Sequence, residues 1–444
     1  MIKLFKLHKF FGLLVGLFLL VLGVTGFFIN HKQWDFLYTT TFQNMPNSTL
    51  TEDKKLVEAY LVDNDDTDHI IVGGKRGIYE TFDEGDSYSQ MSDLQCLAIK
   101  KDDASTYAAT SDGIYILKDE KWNPYLLQGN YINALAITDE YIVASIDKHR
   151  LVVIKREDAS IVSDTVVEID ASQLKDDITL NRLVTDLHFG RGLFDGNNSV
   201  LLNDYGAIIL IFLALSGYLV WWHIHRKKKA KISRKLIKWH ANSFVVAALI
   251  PLSILAITGI FLNHSGGLKK FTTSTTVPNT VLPPVYSSLK SDIWSVDFDG
   301  STYRIGNRYG VYKSTDLKNW EQESKGFAFR MVRINDVLYV SGKGSTNRLY
   351  NGKWENLEGA PATFRDVYNY DDEEIKFFTY RNYEGRMLEF EDATLFSTLR
   401  TIHGGVFVAP WWKWINDFVA LALLILGFTG VTRWLHKKRL RAKI

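Results

Sequence analysis

The sequence predicts a membrane protein of mixed α and β class: a four-helix transmembrane bundle from two parallel repeats, with a periplasmic six-bladed β-propeller assembled from two half-propeller insertions. Three observations predict it. Four stretches are apolar and about 20 residues long, enough to cross a bilayer; the helices beside one polar insertion match those beside the other; and each insertion repeats a strand pattern at a step of 36 to 38 residues.

The spans are 10–29, 205–222, 244–262 and 418–435. Lys3, Lys6 and Lys9 precede the first, residues 226–238 between the second and third carry eight basic and no acidic residues, and the tail ends in Lys437, Lys438, Arg439, Arg441 and Lys443. Basic flanks mark the cytoplasmic side, so both termini are expected inside and the two polar insertions outside. Span one is too long for a signal peptide and no small-residue cleavage site follows it, so it reads as a retained anchor. The expected domains are 1–31 (span one), 32–187 (first half-propeller), 188–225 (span two), 226–238 (basic loop), 239–264 (span three), 265–402 (second half-propeller), 403–436 (span four) and 437–444 (tail).

Net charge is +2, but it divides into a basic inner face and an acidic exterior, which argues against nucleic acid as a partner. The single cysteine, Cys96, excludes an intrachain disulfide and thiolate-ligated clusters, so any metal must be held by histidine or carboxylate.

The repeat is specific. Lys6-Leu7-His8 leads through an apolar span to Thr25-Gly26 and Asn30-His31; Lys238-Trp239-His240 leads likewise to Thr258-Gly259 and Asn263-His264. The His-to-His spacings are 23 and 24, and the extra residue is expected to be absorbed by a kink near Pro251. Spans two and four open on Asn203-Asp204 and Asn416-Asp417; Gly217 and Gly430 follow each Asp by 13 residues, Trp221 and Trp434 by 17, His223 and His436 by 19. Within the insertions the third strand of each unit starts at Gly77-Ile78, Gly113-Ile114, Arg150-Leu151, Gly310-Val311, Arg348-Leu349 and Arg386-Met387. A period of this size built from short strands suits propeller blades, and one ring closed from both insertions avoids open sheet edges. Thr81, Asp83, Gly85 and Tyr88, with a looser copy in Ser314, Asp316 and Trp320, have the pattern of Asp-box turns that stabilise such blades.

Eight of the eleven histidines fall in two matching sets: His8, His31, His188 and His223, then His240, His264, His403 and His436. One histidine at a membrane boundary is as well explained by a wet imidazole tip, but eight in register point to metal, since neutral imidazole is the commonest metal ligand. A haem iron takes two axial ligands from different helices of a bundle. The inner level offers His8, His223, His240 and His436; the outer level offers His31, His188, His264 and His403. Gly12, Gly16 and Gly23 share the face of His8, either for close helix packing or as room for a porphyrin, packing being slightly favoured. Asp204 and Asp417 read first as helix N-caps and second as carboxylates that orient an exterior histidine. Trp221, Trp222, Trp411, Trp412 and Trp434 suit an interfacial belt, while His69, His149 and His225 lack repeat partners.

Lys6-Leu7-His8 through Thr25-Gly26, Leu187-His188-Phe189-Gly190 with Ser216-Gly217-Tyr218, Lys238-Trp239-His240 through Thr258-Gly259, and Ile402-His403-Gly404-Gly405 with Thr429-Gly430 resemble the PepSY-associated transmembrane helix family. The resemblance covers the helices and their flanks, under half of the chain; no PepSY module is evident in the exterior, where the propeller replaces it. It implies a bacterial inner-membrane protein, siderophore-reductase-like, with haem b, two groups, held by such histidines. Electrons would pass from quinol or a cytoplasmic reductase to a periplasmic ferric siderophore or partner protein. The chain shows no flavin or nicotinamide fingerprint of its own. The alternative class is a haem-free membrane scaffold or sensor whose propeller binds a partner protein; a transporter is a third, disfavoured by so few helices and by repeats of like orientation.

Overall fold

The computed structural model describes residues 2–441 apart from 64–65, 103–104, 195–197, 227–229, 289, 291, 371–373 and 380–386. The chain divides into two compact units. One comprises 1–52, 179–277 and 392–444; the other comprises 53–178 and 278–391.

The helical unit contains three helices long and apolar enough to cross a membrane, Lys3–Asn30, Val200–His225 and Trp412–Arg439, and a fourth candidate made of two bent pieces. Val15, Leu19, Leu210, Leu252, Ala256, Val419, Ala422 and Leu423, drawn from all four, form one buried cluster. Phe10, Leu17, Phe244, Ile250 and Phe428 point outward and are more than half exposed, as side chains facing lipid would be. Span one packs most closely on span two. A Cβ on Gly16 would lie 2.9 Å from the Tyr218 ring, and one on Gly23 would lie 2.9 Å from Ile211 and 3.3 Å from the Ala207 carbonyl. These two glycines therefore serve helix packing.

One expectation about the helices is met and one is corrected. The third span bends by 71° between Lys231–Ala247 and Leu249–Asn263, at Ala248, near Pro251 as expected: Pro251 has no N–H to offer the Ala247 carbonyl four residues earlier. Asn242 caps the short helix Ser243–Ala247, its Oδ1 accepting from Val245 N at 2.8 Å. Pro251 occupies the first turn of Leu249–Asn263, where a missing N–H is tolerated. Asp204 and Asp417 are not N-caps: the helices begin at Asn198 and Trp412, so both carboxylates sit more than a turn inside.

The second unit is antiparallel sheet. Five four-stranded meanders have first strands Val57–Val62, Cys96–Lys101, Ile132–Ile137, Ser295–Phe298 and Arg330–Ile334, and a two-stranded sheet pairs Asp366–Tyr370 with Glu374–Phe378. These first strands contact one another in chain order, and the last, Asp366–Tyr370, returns to the first. Asn133 Nδ2 donates to Ile293 O at 3.1 Å, and Arg330 and Arg365 both pair with Glu58, so residues of both segments meet. Strand Ile70–Gly74 is buried throughout, while fourth strands such as Ile161–Val166 are largely exposed. Gly77 and Gly113, which open third strands, have φ of +120° and +112°. A Cβ there would also run into carbonyl oxygens at 2.2 and 2.8 Å, so only glycine fits.

The two Asp-box turns close on themselves as expected. Thr81 Oγ1 donates to Asp83 Oδ1 at 2.6 Å and accepts from Gly85 N at 3.1 Å; Ser314 Oγ donates to Asp316 Oδ1 at 2.9 Å and Trp320 is buried. Of the expected strand led by Arg386-Met387, Arg386 lies outside the described residues, and residues 387–390 form no strand. The sheet unit is also narrower than the expected insertions 32–187 and 265–402, because 32–52, 179–187, 265–277 and 392–402 pack with the helices.

Candidate functional site

Four of the eight histidines come together in two pairs. His8, on span one, faces His240, at the end of Ala230–His240, with ring centroids 6.3 Å apart and planes at 84°. His188 and His403 are also 6.3 Å apart, with planes at 58°. Each pair joins equivalent positions of the two repeats and stays within one of the two expected membrane levels.

His188 and His403 owe their placement to matching local structure. Each is the last residue of a nine-residue helix, Leu180–His188 or Leu395–His403. Thr179 and Thr394 cap these helices through their hydroxyls, which accept from Arg182 N at 3.2 Å and Ser397 N at 3.1 Å. Gly190 and Gly405, two residues after each histidine, take φ of +66° and +69° and end the helix. Asn203 Nδ2 donates to His188 O at 3.1 Å, and Asn416 Nδ2 to His403 O at 2.8 Å. Neutral imidazole is the form that ligates metal.

Each of the four rings is backed in the same way. Nδ1 of His8 lies 2.9 Å from Thr429 Oγ1, that of His403 2.9 Å from Thr25 Oγ1, that of His188 3.0 Å from Thr258 Oγ1, and that of His240 2.7 Å from Ser216 Oγ. The next residue is glycine every time. A Cβ on Gly430, Gly26, Gly259 or Gly217 would lie 3.6, 3.1, 3.4 or 3.5 Å from Cε1 of the same imidazole. Nδ1 is thus occupied, Cε1 rests on a helix backbone, and Nε2 has no hydrogen-bond partner among the described residues.

The spacing suits one metal ion between two rings. A metal–imidazole bond is about 2.0–2.1 Å, so rings with centroids 6.3 Å apart are near enough for one ion to be shared. No group of three or more His, Cys, Asp or Glu is placed to hold a metal among the described residues. The donor set is therefore two nitrogens, which fits a metal whose other positions are filled by a macrocycle.

The other four histidines are engaged elsewhere. His31 Nδ1 is 2.9 Å from Phe27 O and its Nε2 is 3.4 Å from Asp204 Oδ2, so both ring nitrogens face protein oxygens. His264 Nε2 is 2.5 Å from Asp417 Oδ2. Asn30 and Asn263 donate to the second oxygens of the same carboxylates, at 2.8 and 3.1 Å, while Trp34 and Trp414 lie against the two rings. Asp204 and Asp417 do orient exterior histidines, but not the paired ones. His223 packs on Trp222 with its Nδ1 buried and unpartnered, and His436 is exposed. His225 stacks on Trp221.

Sequence reasoning used Thr25, Ser216, Thr258 and Thr429 only as marks of the repeat. A Ser/Thr-Gly dipeptide once in each span was the signal for their role. Arg433, beside His8 in a small recess shared with Leu4, Phe5 and Thr429, carried no such signal.

The sequence profile described as the PepSY-associated TM region matches residues 5–437. No curated protein matches. Solved structures with some likeness include an ancestral GH74 enzyme (13% identity, 74% of this chain, 34% of the other, TM-score 0.33), the computationally designed Ika8 protein (8% identity, 76% of each chain, TM-score 0.31) and the Pan2 WD40 domain of Neurospora crassa (10% identity, 69% of this chain, 65% of the other, TM-score 0.30). The chain thus spans about a third of the length of the GH74 enzyme it matches.

Proposed function

The chain belongs to the PepSY-associated TM family, and from that premise we propose that it is a transmembrane b-type cytochrome of the bacterial inner membrane that passes electrons outward to a ferric or ferric-siderophore acceptor. The observation that carries this reading is the pair of cross-repeat imidazole sites, each with centroids 6.3 Å apart.

His8 with His240 would hold one haem b and His188 with His403 a second. When bound, haem supplies a one-electron carrier within the apolar interior. The protein's part is to keep four imidazoles neutral, oriented and shielded from water, using the hydroxyl and glycine supports described above. The two levels are 17 residues apart along span one, from His8 to the Thr25 that backs His403, or about 25 Å at 1.5 Å per residue. That is shorter than the roughly 34 Å between His8 and His31, so an electron relay between levels needs less help than those histidines would require.

Basic flanks support termini on the cytoplasmic side, and the cyclic order of first strands supports a six-bladed propeller closed from both exterior segments. Electrons would enter from quinol or a cytoplasmic reductase, and the propeller would meet the acceptor or a partner protein. The test is the visible spectrum of the purified protein from haem-replete cells, before and after dithionite. A Soret band with sharp α and β bands on reduction is expected, together with oxidation of the reduced protein by a ferric chelate. Absence of any Soret absorbance refutes the reading and leaves the scaffold or sensor class.

A further inference from the structure

We propose that Thr25, Ser216, Thr258 and Thr429 are positioning residues that fix the Nδ1-protonated tautomer of the four paired histidines and thereby bias any iron held there toward its ferric state. The proposal rests on the haem reading for its redox part and on the hydrogen bonds alone for its tautomer part.

A hydroxyl has one proton to give. Thr25 Oγ1 donates it to Val21 O at 2.8 Å, Thr258 Oγ1 to Ile254 O at 2.7 Å, and Thr429 Oγ1 to Ile425 O at 2.8 Å. These carbonyls belong to the preceding turn of the same helix and carry no proton, so the direction is not negotiable. Each threonine oxygen is left as an acceptor toward the imidazole 2.9 or 3.0 Å away, and the proton in that contact must come from Nδ1. With Nδ1 protonated and the ring neutral, the lone pair is on Nε2. Ser216 Oγ makes the same contact to His240 at 2.7 Å, with its own proton directed less firmly, at 3.4 Å from Leu213 O.

The glycine that follows completes the device. Gly26 has its Cα under Cε1 of His403 closely enough that a Cβ would sit at 3.1 Å, so the ring cannot tilt away from the hydroxyl without leaving its seat. A group that accepts from the distal N–H raises the donor strength of a ligating imidazole. Greater donor strength favours the more highly charged ferric ion, so removing the acceptor should raise the midpoint potential.

The experiment uses full-length protein in detergent and follows a redox titration by its visible spectrum. Thr258→Val and Thr25→Val should each raise one of two midpoint potentials by up to 59 mV, a tenfold change for a one-electron couple; the other potential should stay in place. Thr429→Val should move the other one, and Thr258→Ser should titrate as the unaltered protein. If a valine variant loses its haem, retention by the serine variant supports the hydroxyl role and loss in both overturns it. Valine variants that titrate unchanged also overturn it. A second measurement does not depend on haem: the ¹⁵N shifts of labelled histidine in haem-free protein should report protonated Nδ1 at His188 in the unaltered chain and lose that signature in Thr258→Val. Protonated Nε2 in the unaltered chain refutes the tautomer assignment whether or not the protein binds haem.

Discussion

Replacing His403 by alanine separates ligand loss from structural loss. The side chain is anchored by the hydrogen bond between its Nδ1 and Thr25 Oγ1. Losing such a bond costs about 0.5–1.5 kcal/mol net, against the roughly 5–15 kcal/mol by which a native domain is stable. The helix that carries it keeps its Thr394 cap and its Gly405 terminus. The chain should therefore fold. The remaining imidazole, His188, cannot span a 6.3 Å pair by itself, so on the proposed haem reading one of the two pairs would lose a ligand while His8 and His240 are untouched. The expected result is a fall from two haems per chain to about one, the bis-imidazole stoichiometry of the intact pair, measured by pyridine haemochrome against protein concentration. His188→Ala should look the same, and the double variant should be no worse than either single one, because both remove the same site. His8→Ala should remove the other site and, combined with His403→Ala, should leave none. Loss of haem on His31→Ala or His264→Ala with full retention in His403→Ala would sink the pairing.

Three further outcomes test the scaffold. Gly23→Leu should disrupt the contact of span one with Ile211 and Ala207, costing about 1–3 kcal/mol by overpacking, whereas Gly267→Ala, with nothing within 4 Å of its added carbon, should be neutral in a detergent melt. Asp292→Ala should destabilise the sheet unit by about 3–5 kcal/mol, seen as a lower melting temperature, because it removes a buried carboxylate that accepts from the Arg308 guanidinium and from Trp294 Nε1. Residues 53–178 expressed alone should aggregate, while a linked 53–178 and 278–391 should melt cooperatively, as read by circular dichroism; an independently stable 53–178 would contradict a ring closed from both segments.

Much of the molecule was legible because it repeats. Hydropathy located all four apolar stretches, and the 36 to 38 residue steps located the third strands at Gly77, Gly113, Arg150, Gly310 and Arg348, since a strand pattern and its turn are local properties of the chain. The break in the third span falls where proline predicts it: the helix stops at Ala247, four residues before Pro251, and restarts at Leu249 with Pro251 in its first turn. The reading of Asp204 and Asp417 as caps erred. Helix ends are set by where capping groups and packing fall, and here both helices continue for more than a turn before the carboxylates.

By itself the sequence determined the inventory: eight histidines in two matching sets, no thiolate alternative beyond Cys96, and a Thr-Gly or Ser-Gly in every span. Only the tertiary structure decided which four histidines face each other and which turn to carboxylates. The reason is physical distance along the chain. His8 is supported by Thr429 and His403 by Thr25, contacts 421 and 378 residues apart, and all eight histidines have equal intrinsic affinity for a metal. What distinguishes the paired four is a hydroxyl acceptor at Nδ1 and a glycine at Cε1 brought from another helix, which no local pattern can specify.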